Sequence, residues 1–161
     1  MPELRPFDEK AYTERVQNGA CFICQMLAGE TGRPEDIIYR DEVGFVFLSK
    51  YPSLYGYTLV APVKHREQVT GDFTPEEYLA LQQLVYRVGE AIRQAVPTER
   101  LYILSLGSQQ GNRHVHWHVV PLPPGVPYHE QQLEALKIDK GYWYLNSEEA
   151  AALAQNIRQY L

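Results

Sequence analysis

Cysteine is scarce in this chain, and long apolar runs are missing. Two cysteines, Cys21 and Cys24, in 161 residues are too few for the disulfide framework of a small secreted scaffold. In a reducing compartment their spacing reads as a metal or redox pair before it reads as a structural bridge. No stretch approaches the roughly 20 apolar residues that a bilayer span needs. The opening MPELRPFDEKAYTERVQNG scatters charges where a secretory leader carries an apolar core. A soluble, cytoplasmic protein with no membrane partner is expected. Positive charge is also short, with 15 Lys and Arg against 20 Asp and Glu and a net charge of −5. That balance argues against a polynucleotide as main ligand, since such binding rests on many Lys/Arg–phosphate contacts. One small anion stays open, because backbone N–H groups, a helix N-terminus and neutral histidines can hold a phosphate locally. No segment is polar or repetitive enough for disorder or a repeat array, and 45% hydrophobic with 22% charged residues fits one globular domain over 1–161.

Periodicity and punctuation predict the elements. DEKAYTERVQNG reads as a short helix stopped by Asn18-Gly19, and CFICQMLAGE as a brief apolar turn or helix. DIIYR and VGFVFLSK are β-rich runs split by Asp41-Glu42, a hairpin pattern, and YGYTLVAPVKH is a third strand. The clearest helix begins at Thr74, which forms a capping box with Glu77 around Pro75. Tyr78, Leu81, Val85, Val88 and Ile92 give it one apolar stripe, and Pro97 ends it. LYILSLG and HVHWHVVP follow as strands four and five. SEEAAALAQNIRQYL is a last helix with Ser147 as its cap. The segment between Pro121 and Asn146 is expected to be an ordered loop, because its prolines oppose helix and strand at its start. The fold class is therefore α+β with a largely antiparallel five-stranded sheet.

What the chain does have is GNRHVHWHVVP, with three of its five histidines on alternate residues. In a strand, His114, His116 and His118 share one face while Val115, Trp117 and Val119 take the other. At about 3.3 Å per residue the outer two Cα atoms lie roughly 13 Å apart, whereas nitrogens bound to one zinc ion sit only about 3–4 Å from each other. One ion on all three demands a sharply bent strand. The spacing favours divided labour, with one imidazole as nucleophile or base and another free for metal or phosphate. The bland reading is three polar strand residues. His129 sits apart in the tail and reads as solvent-facing.

HVHWHVV matches at all seven positions the His-φ-His-φ-His-φ-φ signature, φ apolar, of the histidine triad (HIT) family of nucleotide hydrolases and transferases, and the chain resembles that family over about residues 20–122, leaving 123–161 as a loop and helix extension. The resemblance implies a five-stranded antiparallel sheet that pairs across a homodimer and a bound nucleotide, by preference a purine. His116 would attack the α-phosphorus to form a nucleotidyl-histidine, while His118 would hold phosphate oxygens and help the leaving group. Phe22, Ile23 and Phe47 match positions that line a base pocket, with ordinary core as their alternative. Ser49 stands where relatives carry Asp or Asn on the ribose hydroxyls. Gln110 matches a phosphate-binding glutamine; Gly111 replaces a common Ser or Thr, which leaves further phosphate contacts to Ser108, Gln109 or Asn112. A histidine rather than glutamine at 118 points to hydrolysis.

In zinc-binding relatives the ligands match Cys21, Cys24, His65 at the end of the third strand, and His114. This would be a closed Cys2His2 set and hence a structural zinc site. The alternative is that the cysteines are small buried hydrophobes and His65 a hydrogen-bonding strand-end residue. Three functions compete: a hydrolase of diadenosine polyphosphates, nucleoside phosphoramidates or acyl-adenylates; a zinc-stabilised nucleotide- or partner-binding module with little catalysis; and a zinc hydrolase that uses the histidines directly.

Overall fold

Alternation along three neighbouring strands gives the central sheet two unlike faces, and that division places the site. The structure, a computed structural model, describes residues 2–108 and 112–161. Its five-stranded sheet contains β2 (Ile37–Arg40), β3 (Gly44–Leu48), β4 (Thr58–Pro62), β5 (Arg100–Leu104) and β6 (Trp117–Leu122) in the order β2-β3-β4-β6-β5. Every pairing is antiparallel. Val46 and Leu48, Val60, and Trp117 and Val119 point to one core, shared with helices α3 (Pro75–Ala95) and α4 (Ser147–Arg158). Phe45, Phe47, Leu59 and Ala61 point the other way and pack with Ile23 of helix α2 (Phe22–Leu27). β3 and β4 are buried along their whole length because both faces are covered.

The expected capping box of α3 is present, with the Glu77 N–H donating to Thr74 Oγ1 and the Thr74 N–H to Glu77 Oε2. Leu81, Val85, Val88 and Ile92 are buried as the stripe requires. Each such side chain contributes about 1.5–3 kcal/mol by leaving water, so this helix, together with α4, clamps one sheet face. No helix among the described residues is long and apolar enough to cross a membrane.

Four expectations need correction. The cap of α4 is Asn146, one residue earlier than Ser147, because Asn146 has a glutamate three residues on and completes a reciprocal box with Glu149. The segment after Pro121 is not all loop: Tyr142–Tyr144 form a strand, β7, that pairs with β1 (Glu3–Arg5) in a separate two-stranded sheet. The YWY run has high β propensity, but its partner lies at the other end of the chain, which local patterning does not reveal. β4 stops at Pro62, so His65 lies three residues beyond the strand. Finally, β6 begins at Trp117, and His114 and His116 precede it. Upstream the backbone leaves the expected ladder: the Val115 N–H donates to the Arg66 carbonyl, while the Pro62 carbonyl accepts from the His114 ring and the His116 carbonyl from the Ser105 hydroxyl. Inside/outside alternation nevertheless persists, with Val115, Trp117 and Val119 all in the helix-side core.

Candidate active site and metal-ligand cluster

Three separated segments converge where β4 and β6 diverge. The Cys21 side chain caps α2 by accepting the Cys24 N–H, which turns both sulfurs toward the loop after β4 and the approach to β6. Cys21 Sγ is 3.4 Å from His114 Nδ1, while Cys24 Sγ is 3.6 Å from the same atom and 3.3 Å from His65 Nδ1. All four ligand atoms lie within 4.8 Å of one another, so the set could hold a metal ion. Tetrahedral zinc, with bonds near 2.3 Å to sulfur and 2.0–2.1 Å to nitrogen, places S and N about 3.6 Å apart. The donors fit that spacing before any ion is added.

The outer nitrogens support the same reading. His114 Nε2–H donates to the Pro62 carbonyl at 2.8 Å, and His65 Nε2–H to the Glu67 carboxylate at 3.0 Å. Since these partners only accept, the proton sits on Nε2 in both rings and each Nδ1 turns a lone pair to the centre. Burial, more than the nearby His65, pushes His114 down to about 4, so it is neutral in ordinary buffers. Burial and then the neighbouring Cys21 push the Cys24 thiol up to about 11. A central cation would reverse that shift, because thiolate is the form that binds.

His116 belongs to no part of this cluster. Its Nδ1–H donates to the His114 carbonyl at 2.7 Å, and among the described residues nothing hydrogen-bonds its Nε2, which therefore carries a free lone pair. The residue is 4% exposed, and burial lowers its pKa against the opposing pull of that carbonyl. His118 stands beside it with ring centroids 4.9 Å apart, on the face shared with Leu59, its cross-strand partner. Its Nδ1 is 2.7 Å from the Tyr57 hydroxyl, and its buried Nε2 has no hydrogen-bond partner among the described residues. Burial, and next the neighbouring His116, push His118 down to about 4.

A cavity of about 690 Å³ adjoins the pair. Phe22 and Phe47 line it, 6.3 Å apart and edge to face, and Phe22 also packs edge-on against His116 at 6.2 Å. Ser49, which follows Phe47 by two residues on the same face, lines it too, as does Asn112, whose Nδ2–H donates to the Tyr12 hydroxyl at 2.9 Å. The two histidines stand behind this wall, not in it. Ile23 is also no part of it: fully buried among Phe45, Phe47, Leu59 and Ala61, it is a core residue. Ser108 is exposed and Gln109 and Gln110 fall outside the described residues; His129 is exposed beside Glu130. The sequence reading missed Tyr57, whose only signal was its place just before the strand opposite the triad. It also missed Tyr12 and Arg15 on helix α1 (Glu9–Asn18) and Tyr142 on β7, which wall the cavity from outside the sheet.

An antiparallel sheet with one apolar face under helices, and on the other a row of histidines beside an aromatic-walled cavity, defines the class of protein. Residues 30–124 match the HIT domain, and the chain belongs to the HIT family. It is similar to an uncharacterised HIT-like protein of Mycobacterium tuberculosis, 28% identical over 144 residues, covering 88% of this chain and 92% of that one. Among solved structures it resembles a hypothetical histidine triad nucleotide-binding protein of Sulfolobus tokodaii, with TM-score 0.69, 27% identity and coverage of 87% and 91%. It also resembles a zinc-bound histidine triad family protein of Mycobacterium smegmatis, with TM-score 0.66, 25% identity and coverage of 86% and 94%.

Proposed function

We propose that this protein is a nucleotidyl hydrolase that cleaves a nucleoside 5′-phosphate derivative through a nucleotidyl-histidine at His116. The observation that carries the reading is the state of that ring. Its Nδ1–H is held by the His114 carbonyl, and its Nε2 lone pair lies outside the metal-ligand cluster and accepts no hydrogen bond from the described residues. In the first step Nε2 gives its electron pair to the α-phosphorus, and the bond to the leaving group breaks with its pair going to that group. In the second, water attacks the phosphorus, the P–N bond breaks with its pair returning to Nε2, and the water proton is released. Phe22 and Phe47 offer flat apolar walls for a purine base, Ser49 and Asn112 offer polar atoms to the rest of the nucleotide, and Gln110, Gln109 and Ser108 belong to the phosphate loop.

The same proposal assigns zinc to Cys21, Cys24, His65 and His114. With four protein ligands such an ion would be structural, tying α2 to the two segments that flank the site. A homodimer working in the cytoplasm on a small nucleotide completes the reading. The test is turnover of a panel of adenylated compounds by the wild type and by His116→Ala, with nucleotide binding followed by calorimetry. Loss of turnover with binding kept supports the proposal. Undiminished turnover in the variant overturns it, and binding without product across the panel leaves a nucleotide-binding module instead.

A further inference from the structure

The partner of His118 is a tyrosine, and a phenol constrains an imidazole in a particular way. Two arrangements satisfy the 2.7 Å contact between Tyr57 Oη and His118 Nδ1. In one, Nδ1–H donates to the phenol oxygen. The hydroxyl proton then has no acceptor among the described residues, where half-buried Tyr57 makes no other side-chain hydrogen bond. In the other, the phenol O–H donates to the Nδ1 lone pair, which uses the stronger acid as donor and the stronger base as acceptor and leaves no hydroxyl proton stranded. The second arrangement is the stable one, because the phenol O–H is the better donor of the two groups and the imidazole nitrogen the better acceptor. It places the ring proton on Nε2, the buried atom without a partner beside His116.

We propose that Tyr57 is a positioning residue that locks His118 as a neutral Nε2–H donor, and that this lock makes the site select leaving groups that depart as anions. The inference rests on the hydrolase reading above and narrows its substrate class. A neutral imidazole N–H can donate a hydrogen bond to a developing negative charge. It cannot hand over its proton, because the product would be an imidazolate. Relay from Tyr57 is opposed as well, since burial raises the phenol above its ordinary range. A leaving phosphate or carboxylate needs no proton: it takes the bonding pair from phosphorus and its charge is held at Nε2–H. A leaving amine must be protonated as its bond to phosphorus breaks, and this ring withholds the proton. General acid catalysis supplies about 10²–10⁴-fold where it operates, so an amine is disfavoured by roughly 10²-fold or more.

Two measurements on the full-length protein test this. Nitrogen-15 NMR of the histidine rings at neutral pH is expected to show His118 with Nδ1 bare and Nε2 protonated, with its assignment fixed by loss of the signals in His118→Asn. A protonated Nδ1 overturns the proposal. In kinetics, kcat/KM for diadenosine triphosphate, whose ADP leaves as an anion, is expected to exceed that for adenosine 5′-phosphoramidate by roughly 10²-fold or more. Tyr57→Phe keeps the aromatic ring but removes the hydroxyl that fixes the tautomer, so the ring proton can sit on Nδ1 and the anionic leaving group loses its Nε2–H donor; the ratio is expected to shift about tenfold or more toward the phosphoramidate. A lower absolute rate alone would mark a structural role, so an unchanged ratio overturns the selectivity even if both rates fall. Turnover of neither substrate removes the hydrolase reading and the selectivity with it, while the wild-type NMR spectrum still decides the tautomer.

Discussion

Cys24→Ser is the substitution that reads the metal set most directly, because Cys24 Sγ touches both ring nitrogens of the cluster, at 3.3 and 3.6 Å. The magnitude can be worked in two ways. A link from Cys24 to His65 closes a stretch of 41 residues, and a closure of that length would restrict the unfolded chain by about 4 kcal/mol if it persisted there. If the ion instead leaves on unfolding, a metal held a thousandfold above its dissociation constant stabilises the folded state by about 4.1 kcal/mol. Chains of this size lose about 2–4 °C of melting temperature per kcal/mol, so a drop of roughly 8–16 °C is expected on either account. Thermal unfolding followed by circular dichroism, on metal-loaded, chelator-stripped and Cys24→Ser protein, supplies the assay, with metal content measured on the untagged chain. Stripped and Cys24→Ser protein should melt together and below the loaded form. Below these transitions turnover should fall by a small factor only, because the set leaves no position for substrate. Equal melting of all three samples, or metal far below one ion per chain, would refute the reasoning; abrupt loss of turnover on stripping with the fold intact would refute the structural assignment.

Two further outcomes follow from other parts of the molecule. His118 is held near 4 in the folded protein, mainly by burial, against about 6.5 when unfolded. The unfolded chain therefore binds the extra proton first as pH falls, and stability should decline between about pH 6.5 and 4 by up to ~3 kcal/mol from this ring; urea unfolding at pH 7 and pH 5 should show a smaller loss in His118→Asn. At the start of α4, Asn146→Ala should cost about 1 kcal/mol in chemical unfolding and Ser147→Ala only a few tenths, since the capping oxygen belongs to Asn146; the reverse order would restore Ser147 as cap.

The sheet was legible because it is built from local signals. Asp41-Glu42 between β-rich runs, the Thr74–Glu77 box and the alternating valines of HVHWHVV each act within a few residues, and each element they predict is present. The metal set was legible only through the family resemblance, since Cys21 and His114 are 93 residues apart and the two-residue cysteine gap is weak evidence alone. What escaped had no local signal. β1 is three residues long and its partner sits near the other end of the chain. The Tyr57–His118 pair joins the residue before β4 to a residue of β6, which meet only once the sheet is assembled. Ile23 illustrates another limit: it is one residue from Phe22 on a short helix, so pattern alone cannot separate the side chain that faces the cavity from the one that faces the core.

The same limit applies with more force to the three histidines, which are one residue type at one spacing and yet differ in which nitrogen is anchored. In His114 a carbonyl holds Nε2, so Nδ1 faces the cysteines. In His116 a carbonyl holds Nδ1, so Nε2 is the free base. In His118 a hydroxyl reaches Nδ1, so Nε2 keeps its proton. The anchor, and not the imidazole, assigns each ring its work. The three assignments are also linked, because the carbonyl that holds His116 belongs to His114, whose own ring is tied to Pro62 and to the cysteine pair. A metal bound at that pair would therefore stiffen the peptide group that holds the proposed nucleophile without touching the substrate, which is a physical reason for the proposed structural ion and the proposed phosphoryl-transfer histidine to lie two residues apart.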